Sequence, residues 1–306
     1  MHCDHTWTRH RVLAACTAVA CSLLPTVATA EEHASQASSY KEPADLGILD
    51  FFTNGWSDDW VHRHRATRDM ALLKVTTNFL EREFRLDYAY TDLKTNQKFT
   101  STNFVNGLMA YAVNRRLMLE VIANYQWNVA TGRSPVHGPG AAALARFQLI
   151  DTATASYSFQ MRVSAPNKGI GQTQTTLGYY LAGWQDVGAW IPEVGRVGLY
   201  YSFEYDNLRG PHPRGATENS ISYDVSLART WTEEKTPVVG DLTTFLELYG
   251  TTPLDGNSSG KTVLTLTPGI RFWFVPKNSL SMGVDLPVSN GPSFNAVWRA
   301  TYILNF

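Results

Sequence analysis

The chain has 306 residues, is 44% hydrophobic and carries a formal net charge of −1. That length suits one large domain or two small ones, and the near-neutral charge leaves no basic footprint for a nucleic-acid partner. Helix-favouring Glu/Lys-rich runs are nearly absent, whereas aromatic residues are plentiful.

Residues 1–30 read as an export signal. Arg9, His10 and Arg11 form a basic start, VLAACTAVACSLLPTVA is the apolar stretch, and Ala28-Thr29-Ala30 is a small-residue cleavage site before Glu31. A membrane anchor is the other reading, but the apolar run is marginal in length and Pro25 lies near its end. Leu13-Ala14-Ala15-Cys16 resembles a lipoprotein box, with too few apolar residues before it. Cys3, Cys16 and Cys21 all fall inside the signal. A chain cleaved near Ala30 would have no disulfide, thiolate metal site or cysteine nucleophile.

Residues 31–80 read as an irregular or partly helical segment that is periplasmic or plugs a lumen. It contains the aromatic stretch GILDFFTNGW and the run HRHR. On a helix, Asp58 and His62 would share a face at four apart, a conceivable metal pair. An exposed polar segment accounts for them as well, and the expectation is no metal and no cofactor.

From residue 81 to 306 the pattern has period two. RLMLEVIANYQW (116–127) sets Leu117, Leu119, Val121, Ala123, Tyr125 and Trp127 against Met118, Glu120, Ile122, Asn124 and Gln126. This is strand alternation. About twelve such segments follow one another, centred on 84–92, 101–113, 116–128, 140–150, 155–164, 171–182, 195–207, 219–231, 240–250, 262–275, 278–288 and 293–306. Many match the roughly 9–11 residues that cross a bilayer at a tilt. Polar Gly-, Pro- or Asn-rich loops follow strands 1, 3, 5, 7 and 9, and most of the other connections are tight. Trp127, Tyr157, Tyr205, Trp231, Tyr249 and Trp298 lie towards the ends of apolar faces, as an interface girdle would. The expected fold is all-β: a transmembrane antiparallel up-and-down barrel of about twelve strands. A soluble β-sandwich, the competing fold, should have shorter strands and hide its aromatics.

FNAVWRATYILNF (294–306) alternates strictly and ends on Phe306. Its outward row, with Trp298, Tyr302, Leu304 and Phe306, looks like the terminal strand that outer-membrane assembly machinery reads. TPGIRFWFVPKNSLSMGVDLPVSNGPSFNAVWRATYILNF (267–306) resembles the bacterial outer-membrane family labelled for the meta pathway of phenol degradation. The likeness covers these forty residues well and the rest only in rhythm. It implies a transporter-like barrel for small apolar or aromatic compounds; residues 31–80 carry no motif of that family.

GNSSGKT (256–262) nearly spells a phosphate-binding loop, and its first five residues spell G-x-S-x-G. It is one residue short between the glycines, and the strand-like VLTLTPGIRFWF follows instead of a helix. Ser258 has no histidine after it, since the last is His212. No histidine falls in an expected strand, which argues against a base on the barrel wall. The chain reads as no enzyme, with no catalytic residues; a lipid-modifying barrel and a closed structural or adhesive barrel are the alternatives.

Taking each strand's phase from its apolar face, the lumen receives Arg85, Asp87, Glu120, Arg146, Arg162, Glu204, Asp224, Glu247, Arg271, Asp285 and Arg299. Glu204, Asp224 and Glu247 would form an acidic wall facing the arginines, setting a field across the bore. The alternative is an interior held by pairs such as Arg271–Asp285–Arg299. The expected role is a narrow outer-membrane channel passing a small-molecule solute passively. Its surroundings would be outer-membrane lipid and lipopolysaccharide.

Overall fold

A computed structural model describes residues 42–306, apart from 64, 66–69, 96–97, 131–133, 212–213, 235, 276, 290 and 292. The expected signal with its expected cleavage near Ala30, the cysteines, His64 and His212 lie outside the described residues.

Among the described residues twelve strands form: β1 (Arg82–Leu93), β2 (Ser101–Ala112), β3 (Leu117–Val129), β4 (Val136–Asp151), β5 (Ala155–Ser164), β6 (Thr175–Asp186), β7 (Val197–Arg209), β8 (Asn219–Thr230), β9 (Gly240–Pro253), β10 (Val263–Val275), β11 (Asn278–Pro287) and β12 (Phe294–Asn305). Each pairs antiparallel with its neighbour in sequence, and β12 pairs back onto β1 from Glu83↔Asn305 to Leu93↔Phe294. Closure leaves no edge strand with unpaired backbone groups, the condition for crossing lipid.

The two faces of the wall are inverted relative to a soluble protein. Met109, Leu119, Val121, Met161, Leu181, Phe203, Leu227, Leu246 and Trp298 are exposed on the outside, while Ser158, Gln160, Ser226, Thr243, Thr267, Ser281 and Thr301 are buried inside. A sandwich would hide the first set. A membrane-spanning barrel puts it against lipid and keeps the second for the lumen.

The wall's outer surface also carries ring-over-glycine joints. Gly250 on β9 lies opposite Tyr223 on β8, and a Cβ at Gly250 would sit 2.5 Å from that ring. Gly183 and Tyr201 repeat the arrangement at 2.6 Å between β6 and β7. We expect Gly250→Val to cost about 1–3 kcal/mol through displaced packing, read as a lower urea midpoint in detergent.

Three expectations are corrected. Val136–Gly140, read as loop because of its Gly and Pro, continues β4, so His137 does lie in a strand. It stacks on Tyr125 at 5.8 Å, because the β3–β4 ladder runs on to Asn128↔Val136. Tyr249 shares the inward phase of Glu247 and belongs to no outer girdle: the Lys74 ammonium sits 3.9 Å from its ring centroid. The described part of residues 42–80 is irregular with no α-helix, so Asp58 and His62 do not share a helix face. His62 instead lies 3.5 Å from Glu81, and Asp58 lies 3.8 Å from Arg115.

GNSSGKT joins β9 to β10. Gly256 and Gly260 take positive φ (+74° and +73°), and β10 follows directly. The helix that a phosphate loop needs is replaced by a strand.

Candidate functional site

The connections after β1, β3, β5, β7, β9 and β11 lie at one end of the barrel, here the loop end; the short turns Val113–Arg116 and Thr152–Thr154 and the longer connections 187–196 and 231–239 lie at the turn end. The described residues of 43–65 cross the turn end. Arg63 (3.4 Å) and Arg65 staple them there to Asp151 at the end of β4, and Arg115 of the β2–β3 turn bonds both Asp151 (3.5 Å) and Ala44 O.

Residues 70–80 then run through the barrel. Leu72 O accepts from Arg85 on β1, Phe79 O from Arg146 on β4, Thr77 O from Gln160 on β5 and Ala71 O from Arg271 on β10. Met70, Leu72, Leu73, Val75 and Phe79 pack with Trp184 (β6), Tyr200 (β7), Ala228 (β8) and Phe245 (β9). A segment that meets strands on every side of a closed ring lies within it. The sequence explains the arrangement: MALLKVTTNFL has no strand partner, so its backbone carbonyls take hydrogen bonds from inward arginines and glutamine instead.

Lys74 is the chemical focus of this stretch. Its ammonium bonds Asp285 (3.3 Å) and Thr265 Oγ1 (3.1 Å). The Lys74 and Val75 amides both donate to Glu247 Oε1, at 3.1 and 3.0 Å. Glu247 is fully buried, and so are the cluster residues Leu72 and Trp184.

The eleven residues assigned to the lumen from sequence are all buried or half-buried, in phase opposite to the exposed apolar row. Arg85 meets Asp87 at 2.7 Å, Arg146 Glu120 at 3.5 Å, Arg162 Glu204 at 3.0 Å and Arg299 Asp285 at 2.9 Å. Arg271 bonds Ser279 Oγ at 3.2 and 3.3 Å. Asp224 accepts from Ser202 Oγ at 2.7 Å. Of the three carboxylates expected to form an acidic wall, Glu204 meets Arg162, while Asp224 and Glu247 accept from Ser202 and from the Lys74 and Val75 amides. Trp298, Tyr302, Leu304 and Phe306 lie on the outward phase of the last strand, where Leu304 stands opposite Phe84 of β1.

Sequence reasoning omitted Asp206, which shares the phase of Glu204 and bonds Arg162 at 3.1 Å. It also omitted Lys74. One signal pointed to it: five basic and six acidic side chains were assigned inward, and a lone lysine in an apolar stretch just before β1 was left without a partner.

Towards the loop end the lumen stays open. A cavity of about 200 Å³ is lined there by Phe104, Asn124, Gln126, Gln172, Gln174 and Thr176, among others. Its lining is uncharged: five amides and two hydroxyls, with Phe104, Leu208 and two alanines as the apolar side chains. In the turn half residues 70–80 occupy the lumen, and the cavities beside them hold only about 30 and 20 Å³.

No protein-family model matches the chain, and no curated protein matches it. The resemblance seen in residues 267–306 therefore stands on those residues alone. Among solved structures, an outer membrane channel from Pseudomonas putida F1 aligns with a TM-score of 0.53 and 13% identity, over 81% of this chain and 100% of that one. The KdgM porin aligns at 0.48 and 11% identity, over 73% of this chain and 99% of that one. The NanC porin gives 0.47 and 10%, over 73% and 98%. At such identities the likeness to the Pseudomonas channel is one of fold.

Proposed function

We propose that this protein is an outer-membrane channel for small solutes, closed in the described state by residues 70–80. The observation that carries the reading is the contrast along the bore: an uncharged polar vestibule at the loop end, and a segment of the chain's own backbone filling the turn end. A barrel of purely structural use has no need of a vestibule that leads to a plug held by side-chain hydrogen bonds. Twelve strands fall between the about eight that side chains alone fill and the about 16–18 that leave a wide channel, so the released bore is narrow. Transport is passive: lumen amides and hydroxyls replace part of the solute's hydration, and the wall excludes lipid. The resemblance of residues 267–306 favours small apolar or aromatic compounds, and Phe104 offers such a ring a surface. Lipopolysaccharide and lipid surround the wall, and the outward row of β12 is the feature that assembly machinery would read.

The test replaces Met70–Phe79 with a Gly-Ser linker of equal length. Correct barrel formation is checked by heat-modifiable migration. The expected result is a steady conductance in planar bilayers and swelling of liposomes in small solutes, both far above the parent protein. A folded but non-conducting linker variant would leave the structural-barrel reading in its place.

A further inference from the structure

The turn formed by residues 47–56 presents its apolar side chains to solvent while its backbone is held by the barrel. Leu46 pairs with Asp151 at the end of β4 through two hydrogen bonds of 2.9 Å. Arg116, fully buried, clamps the turn: its guanidinium donates to Asn54 O (2.8 Å), Gly47 O (3.2 Å), Gln148 O (3.0 Å) and Leu149 O (2.9 Å). Asn114 donates to Trp56 O at 2.9 Å. Inside the turn Phe51 packs edge-on against Phe52 and Trp56, with centroids 5.2 and 5.4 Å apart.

Trp56 in turn lies 6.5 Å from Phe147, a residue on the outward phase of β4 that stacks on Phe159 of β5. The turn therefore adjoins the outside of the wall, at the lower margin of its apolar belt. There it leaves Leu49 93%, Phe52 88% and Ile48 51% exposed. Three large apolar side chains on one clamped turn form a patch, not a scatter. The carboxylate of Asp50 is folded back towards the Gly47 amide at 3.4 Å, and the exposed Asp58 and Asp59 follow only after Trp56.

We propose that this turn is an interfacial anchor, with Leu49 and Phe52 inserted among the acyl chains of the phospholipid leaflet at the turn end. Lipid is the occupant because the patch is continuous with the lipid-facing belt through Trp56 and Phe147. A rigid turn with apolar tips and a following acidic pair matches the apolar-in, charged-out placement of interfacial segments. The proposal rests on the membrane-spanning fold and is independent of channel activity, so either can fail alone.

The experiment uses the full chain with Cys3→Ser, Cys16→Ser and Cys21→Ser, which leaves no other cysteine. Single nitroxide labels are placed by Leu49→Cys and Phe52→Cys, with Leu181→Cys on the belt and Ser258→Cys in the β9–β10 loop as references. In phosphatidylethanolamine/phosphatidylglycerol vesicles, oxygen should relax the labels at 49 and 52 more than a nickel chelate does, as at 181 and opposite to 258. Nickel-accessible labels at 49 and 52 would overturn the anchor and leave the patch free for a protein partner.

Discussion

Glu247→Ala should raise the open-to-closed ratio of the barrel by about two orders of magnitude, measured as single-channel open probability at fixed voltage. Glu247 Oε1 is the common acceptor for the Lys74 and Val75 amides, deep in the bore. Removing the acceptor leaves two buried amide donors unsatisfied, at about 1–3 kcal/mol each, and about 1.4 kcal/mol is a factor of ten. Losing both bonds removes about two decades of bias towards the docked segment. Glu247→Gln keeps an oxygen acceptor, so its open probability should fall between those of the parent and the alanine variant. A general loosening of the barrel would instead lower the unfolding midpoint of both variants equally without separating their open probabilities. If Glu247→Ala conducts like the parent, the segment is not held at this point.

The second large effect is expected at Asp285. This buried carboxylate receives Arg299 (2.9 Å), Lys74 (3.3 Å) and the Thr267 hydroxyl (2.8 Å). Asp285→Ala leaves two cations facing each other over a cavity. Removing one partner of a buried ionic group costs about 3–5 kcal/mol. Lys74→Met should cost less, because Asp285 keeps Arg299 and Thr267. The decisive comparison is the double variant. Once Lys74 is gone, Asp285→Ala strands only Arg299, so its penalty in urea unfolding should shrink. Equal penalties in both backgrounds would show that Lys74 and Asp285 do not interact energetically.

The barrel was readable because its rule is local. A residue two places from Leu119 faces the way Leu119 faces, so the inward row of β3, β7 or β12 follows from parity alone. Tyr249 lies near a strand end, like the girdle aromatics, but its parity is that of Glu247, and parity decides. Gly138, Pro139 and Gly140 look like loop, but the long β3–β4 ladder accommodates them and carries His137 into the strand. The plug was not readable for a different reason. Its partners are remote: Ala71 O meets Arg271, Lys74 meets Asp285, and neither contact leaves a period in the sequence. A list of inward charges shows which side chains await partners; only the closed ring shows that the chain itself supplies some of them.

The staple at the lip gives the plug a mechanical character. Arg63 and Arg65 grip Asp151 on one side, and on the other side Leu80 and Glu81 run straight into β1 at Arg82. Residues 70–80 are thus tied covalently at β1, and the chain before them by ion pairs at Asp151. If the proposed channel opens with those pairs intact, these residues bow away from Glu247 and Asp285 rather than leave the bore as a ball on a chain does. Opening would then be graded, its width limited by the slack of the span, and reclosure would need no search for the site.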